Sequence, residues 1–94
     1  MTDLPNSVDS SLRARARKVV PGGMWGHQNA ANLPENYPQF FARAEGARIW
    51  DVDGNMYRDF MCSWGPNILG HKHPAVLEAV QRQLALGDCL NGPT

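Results

Sequence analysis

The pair Asp53-Gly54 constrains this chain more than any other feature, because it sits between two runs, Arg48-Ile49-Trp50-Asp51-Val52 and Met56-Tyr57-Arg58-Asp59-Phe60-Met61. Glycine accepts the positive φ that a tight reversal demands, so the two runs return on each other as an antiparallel hairpin. Phe40-Phe41-Ala42-Arg43-Ala44 supplies a third run ahead of them, and the spacing predicts a three-stranded meander.

Helical periodicity flanks that sheet on both sides. Leu12, Ala16, Val19 and Val20 fall on one face of a helix that Ser10, or Asp9 beside it, is placed to cap, and Pro21 with Gly22-Gly23 ends it. Arg13 and Arg17 share another face of that helix, either as a solvated rim or as an anion site. Further along, Pro74 suits the first position of a second helix, with Val76, Leu77, Val80 and Leu84 on one stripe until Gly87. Glu78 and Arg82 form an i, i+4 pair on its outer side. Between Pro21 and Pro38 no period holds, and Pro21, Pro34 and Pro38 exclude a continuous helix. A long loop is expected there, with aromatic bulk from Trp25 and Tyr37 and a histidine at His27; Trp25 lines a substrate site or simply packs against a neighbour.

The bulk numbers narrow the function classes. Nine basic and nine acidic residues cancel across 94 positions, so overall charge favours neither nucleic acid nor an anionic membrane surface. No apolar run approaches the roughly 20 residues of a membrane-spanning helix, and the start lacks the basic and apolar regions of a secretory signal. A cytoplasmic location is the expectation. Cys62 and Cys89 are read as unpaired thiols.

Local motifs for other chemistries fall short. His71-Lys72-His73 lacks a third metal ligand at a workable spacing, so a structural role is expected, with His73 capping the second helix or bonding a neighbouring loop. Asp51 and Asp53 start like a calcium loop but lack its later oxygen ligands and terminal glutamate, and are read as turn residues. Ser63 is outside any Gly-x-Ser-x-Gly elbow, and Gly65 and Gly70 make no phosphate-binding loop. The residues by themselves specify an α+β arrangement of a small antiparallel sheet plus helices.

An ordered set of short motifs adds more. Pro21-Gly22-Gly23, Ala44-Glu45-Gly46, Ile49-Trp50-Asp51-Val52-Asp53-Gly54-Asn55, Ser63-Trp64-Gly65-Pro66, Leu69-Gly70-His71 with His73-Pro74, and Gly92-Pro93-Thr94 together resemble the amino-terminal region of class III aminotransferases. These are pyridoxal-phosphate enzymes of fold type I, and the resemblance is especially to the branch that includes glutamate-1-semialdehyde aminomutase. The resemblance implies that residues 1–94 form the small-domain segment: an N-terminal helix, a long loop, the meander and a following helix.

By the same resemblance, the complete protein is a homodimer that moves an amino group from a small-molecule amine or amino acid donor to a carbonyl acceptor. Its cofactor, pyridoxal 5'-phosphate, is held by a lysine outside this chain, because neither Lys18 nor Lys72 matches the family's catalytic position. No catalytic, cofactor-binding or metal residue is therefore assigned within these 94 residues, which alone are expected to be inactive. Ser63 and Trp64 match positions lining the substrate pocket, and Trp25 and His27 are further candidates from the loop.

Aminomutases of the branch carry an arginine in the loop after Pro-Gly-Gly that grips the substrate carboxylate, whereas positions 24–41 here contain neither arginine nor lysine. An aminomutase and a noncatalytic interaction module are the alternatives to an aminotransferase.

Overall fold

A computed structural model describes residues 7–26 and 28–92. Helix α1 spans Val8–Val19, strands β1, β2 and β3 span Phe41–Glu45, Arg48–Asp51 and Met56–Arg58, and helix α2 spans Pro74–Leu86. Single 3-10 turns at Pro21–Gly23, Ala30–Asn32 and Cys62–Trp64 punctuate the connections. The sheet is the expected antiparallel meander in the order β1-β2-β3.

Its register follows from the turn chemistry. Gly54 takes φ +89 in the β2–β3 turn, and the Asp51 carboxylate inside that turn accepts from the Asp53 and Asn55 backbones at 3.0 and 2.8 Å. Between β1 and β2 a bulge separates the Phe41–Asp51 pairing from Arg43–Trp50, bending β1 and adding twist. Strand β3 ends at Arg58, short of the expected Met61, because Asp59 turns its carboxylate onto the Met61 and Cys62 backbones instead of continuing the ladder.

Helix α1 begins earlier than either expected cap. Ser7 is the N-cap, and its hydroxyl accepts from Ser10 N–H at 3.1 Å. Asp9 thereby falls inside the first turn, where it is 1% exposed and ties the helix to the start of the sheet. One oxygen accepts from the Gln39 and Phe40 backbones at 3.0 and 2.9 Å; the other pairs with Arg13 at 2.5 Å. Arg13 also donates to the Tyr37 carbonyl, so it is neither a solvated rim nor an anion site but a tie to the long loop.

Helix α2 has Pro74 at its first position and Gly87 at its end, as expected. The Glu78–Arg82 pair spans 3.9 Å with both side chains 72% exposed, an arrangement that adds little stability. His73 occupies the N-cap without a side-chain capping bond, and its buried Nδ1 has no partner among the described residues. The capping role expected of it is not realised: the first-turn bond Leu77 N–H to His73 C=O comes from backbone alone.

What the fold lacks is a core of its own. Among the described residues no large apolar side chain is buried, and Phe60, Ile68 and Leu86 are at least 80% exposed. The radius of gyration is 16.0 Å, against about 12 Å for a compact domain of this length. One face of α2, carrying Val76, Val80 and Leu84, is likewise uncovered. Polar ties from Asp9, Asp51, Asp53 and Asp59, rather than apolar burial, position the pieces around the site.

Candidate functional site

Among the described residues, those after β3 form the longest run of left-handed backbone outside glycine. Cys62, Ser63 and Trp64 hold φ of 53, 52 and 62, three successive non-glycine residues in the left-handed region, before Gly65 at 107. L-residues pay roughly 1–2 kcal/mol each to adopt that conformation, so the surrounding contacts must over-determine it. Asp59 does so from one side, accepting Met61 and Cys62 N–H at 2.8 and 3.2 Å. On the other side the Cys62 carbonyl accepts from Gly65 and Asn67 N–H at 2.9 and 3.1 Å.

The turn delivers Trp64 to Trp25. Their rings meet edge-on, with centroids 6.2 Å apart and planes inclined at 60°, a geometry worth about 0.5–1.5 kcal/mol beyond the area it covers. Behind the pair lies an open groove of about 820 Å³, floored by Phe41, Ala44 and Ile49 of the sheet and flanked by Met24 and Met61. Ser63, Trp64 and Trp25 all line it. Arg43 is the one arginine or lysine among the described lining residues, and its guanidinium sits 3.6 Å over the Trp50 ring. The groove is an apolar, aromatic surface with few polar groups, the usual makeup of a small-molecule wall.

One charged pair, Asp59 and His71, lines it. His71 lies against Asp59, Nε2 to Oδ2 at 2.5 Å, while Asn67 Nδ2 approaches its Nδ1 at 3.2 Å. The two ring nitrogens of His71 are thus engaged by Asn67 and Asp59, one on each side. The bond to His71 holds the Asp59 carboxyl below its usual range; burial works against this and the Cys62 and Met61 amides reinforce it.

Away from the groove lining, at the end of β2, Asp51 is 1% exposed. Burial alone would raise its pKa, but bonds from the Asn55 side chain and backbone, the Tyr57 hydroxyl and the Asp53 backbone outweigh it, and the net shift is downward. Tyr57, half-buried and donating to Asp51 at 2.8 Å, is pushed up to about 12, first by desolvation and then by that bond.

Of the residues singled out in the sequence, Trp25, Ser63 and Trp64 therefore converge on one groove, and His27 lies outside the described residues. Asp59 and His71 also line that groove and were not singled out as a pair. Twelve positions separate them, and no local period links a strand end to a loop histidine. Lys18 and Lys72 do not line the groove. Both cysteines are free.

Comparison with known proteins places this geometry. The class-III aminotransferase family model matches residues 30–91. Aminopentol aminotransferase of Sphingopyxis macrogoltabida is 51% identical over 83 residues, 88% of this chain and 20% of that protein. Glutamate-1-semialdehyde 2,1-aminomutase of Desulforamulus reducens is 49% identical over 80 residues, 85% of this chain and 18% of that protein. Among solved structures, the FumI protein of Sphingopyxis sp. MTA144, in its PLP internal aldimine form, superposes with a TM-score of 0.76 at 49% identity, covering 92% of this chain and 21% of that one.

The chain thus spans about a fifth of the length of these relatives. On the match across residues 30–91 and the shared architecture, the chain belongs to the class-III aminotransferase family.

Proposed function

We propose that this chain is the small-domain segment, residues 1–94, of a pyridoxal-phosphate-dependent aminotransferase, and that its groove forms one wall of the substrate site. The complete enzyme moves an amino group from an amine or amino acid donor to a carbonyl acceptor. The observation that carries the reading is the meeting of Trp25 and Trp64 over an apolar groove, in a chain of this family.

Pyridoxal phosphate, when bound, supplies the aldehyde and the electron-withdrawing ring that amino transfer requires. The chain spans about a fifth of its relatives, so the attachment lysine is assigned to another part of the protein, and these residues alone are expected to be inactive. Their contribution is shape: Trp64 and Trp25 present flat faces and edges to the donor side chain and keep water from it, and Ser63 places a hydroxyl at the strained turn.

The complete protein is read as a cytoplasmic homodimer. The uncovered apolar faces of α2 and of Phe60 and Ile68 support a cover supplied by the rest of the protein or by a second copy. No helix among the described residues is long and apolar enough to cross a membrane.

The aminomutase reading draws on the identity to the Desulforamulus enzyme. It needs a cation free to grip the substrate carboxylate, whereas Arg43 is stacked on Trp50 and positions 24–41 hold no other candidate. An uncharged or apolar donor suits the groove better.

The test is a product assay on the full-length protein loaded with pyridoxal phosphate. An amine donor plus an oxo acid should yield the carbonyl product and the new amino acid in equal amounts over many turnovers; with the oxo acid omitted, no new amino acid should form and the carbonyl product should stop at one equivalent per cofactor. Rearrangement of an amino aldehyde without any acceptor would establish the aminomutase instead. No turnover, together with a native mass matching these 94 residues, would favour a noncatalytic module.

A further inference from the structure

We infer that Asp59 and His71 are positioning residues that hold the Ser63–Trp64 turn, and through it the donor-side wall, in register with the sheet; this rests on reading the groove as the substrate site. The strained turn has no glycine until Gly65, so its conformation depends on external ties. Asp59 grips the turn's entry through Met61 and Cys62 N–H, and its second oxygen accepts from His71.

His71 is itself anchored. Its backbone exchanges both hydrogen bonds with Gly46 at 2.9 Å, and Asp59 N–H donates to the Ala47 carbonyl at 2.9 Å. A continuous path therefore runs from the β1–β2 hairpin through His71 and Asp59 to the turn that carries Trp64. Asn67 braces the imidazole at Nδ1, 3.2 Å away, on the side opposite the contact between Nε2 and Asp59. Neither Asp59 nor His71 is given any proton transfer in the reaction; their effect is on where Trp64 stands.

The experiment uses the full-length holoenzyme and the variants Trp64→Ala, His71→Ala, His71→Gln and Asn67→Ala, each also made with Trp64→Phe where Trp64 is present, as the fluorescence reference. Donor KM, kcat and acceptor KM are measured beside the cofactor absorbance and the Trp64 fluorescence, the latter isolated by difference against Trp64→Phe.

His71→Ala is expected to raise donor KM about tenfold, the loss of one hydrogen bond to a charged group, with kcat and cofactor absorbance nearly unchanged and Trp64 emission shifted to the red. Glutamine can put an N–H where Nε2 stands, so His71→Gln should restore most of the KM and the emission. Asn67→Ala, the mildest change, should fall between.

If Trp64→Ala leaves donor KM unchanged, the groove is not the substrate wall and both readings fall. If Trp64→Ala raises donor KM while the folded His71 and Asn67 variants behave as wild type, or lose kcat and KM alike without rescue by glutamine, the positioning role falls and the substrate wall stands.

Discussion

Asp53 and Asp9 lie 44 residues apart in sequence, yet the side chain of the first accepts the backbone N–H of the second at 3.1 Å. The other Asp53 oxygen accepts Val8 N–H at 2.7 Å, so a hairpin turn residue serves as a second cap on the first turn of α1. Asp9 then passes the connection on to Gln39 and Phe40 at the start of β1. Helix, hairpin and first strand are fixed to one another by two carboxylates.

Removing that cap has a defined consequence. Asp53→Ala in the full-length protein should cost about 1 kcal/mol, as loss of a helix cap does, and Asp53→Asn less, because the amide oxygen still accepts one N–H. Thermal unfolding with the cofactor bound measures both; equal stability of wild type and Asp53→Ala would contradict the cap.

How far such ties could be read in advance depends on their range. The hairpin was legible because Asp53-Gly54 states its turn locally, and so were the ends of α2, marked by Pro74 and Gly87. The start of α1 was misplaced because Ser7, Asp9 and Ser10 are all good caps, and the choice among them is made by Asp53 and by the Asp9 contact to Phe40, both remote. Arg13 was misread for the same reason: its partners are Asp9 on the next turn and a carbonyl in the long loop.

The candidate site divides the same way. Periodicity gave no sign that Trp25 and Trp64 meet, since a loop and a turn have no shared repeat; the family resemblance nominated Trp64, and the aromatic bulk of the long loop nominated Trp25. His73 drew attention through its place before Pro74, but its neighbour His71, two positions earlier, makes the bonds.

The pairing of buried Asp51 with half-buried Tyr57 predicts a pH signature at both extremes. Tyr57 is raised, so the stability it contributes is fully present below the usual value of 10.0 and is lost as pH rises through about 12. Asp51 and Asp59 are lowered; their contribution is present above the usual 3.8 and is lost as pH falls below it, through their folded values. Ultraviolet titration of the full-length protein, taken as a difference against Tyr57→Phe, should reveal one phenol ionising near 12. A phenol titrating near 10.0 would show that the bond to Asp51 does not hold.

Gly70 is the glycine whose replacement should matter most near the site. It takes φ +83, and a Cβ there would stand 3.1 Å from the Gly46 carbonyl oxygen, inside the bridge that anchors His71. Gly70→Ala should destabilise the full-length protein by about 1–2 kcal/mol from the backbone alone and should weaken donor binding by displacing His71. Gly26→Ala, at φ +63 with open space around it, is the control: it pays the backbone cost without the clash. Similar donor KM values in the two variants would contradict the role of the Gly46–His71 bridge.

The central claim is that the groove behind Trp25 and Trp64 receives the donor. Its most direct test is a crystal structure of the full-length protein with pyridoxal phosphate and a slowly reacting amine donor. The donor side chain should lie within about 4 Å of the Trp64 indole, over the surface formed by Phe41 and Ile49; a donor bound with its side chain directed away from Trp64, and the groove filled by the protein's own residues, would contradict the account.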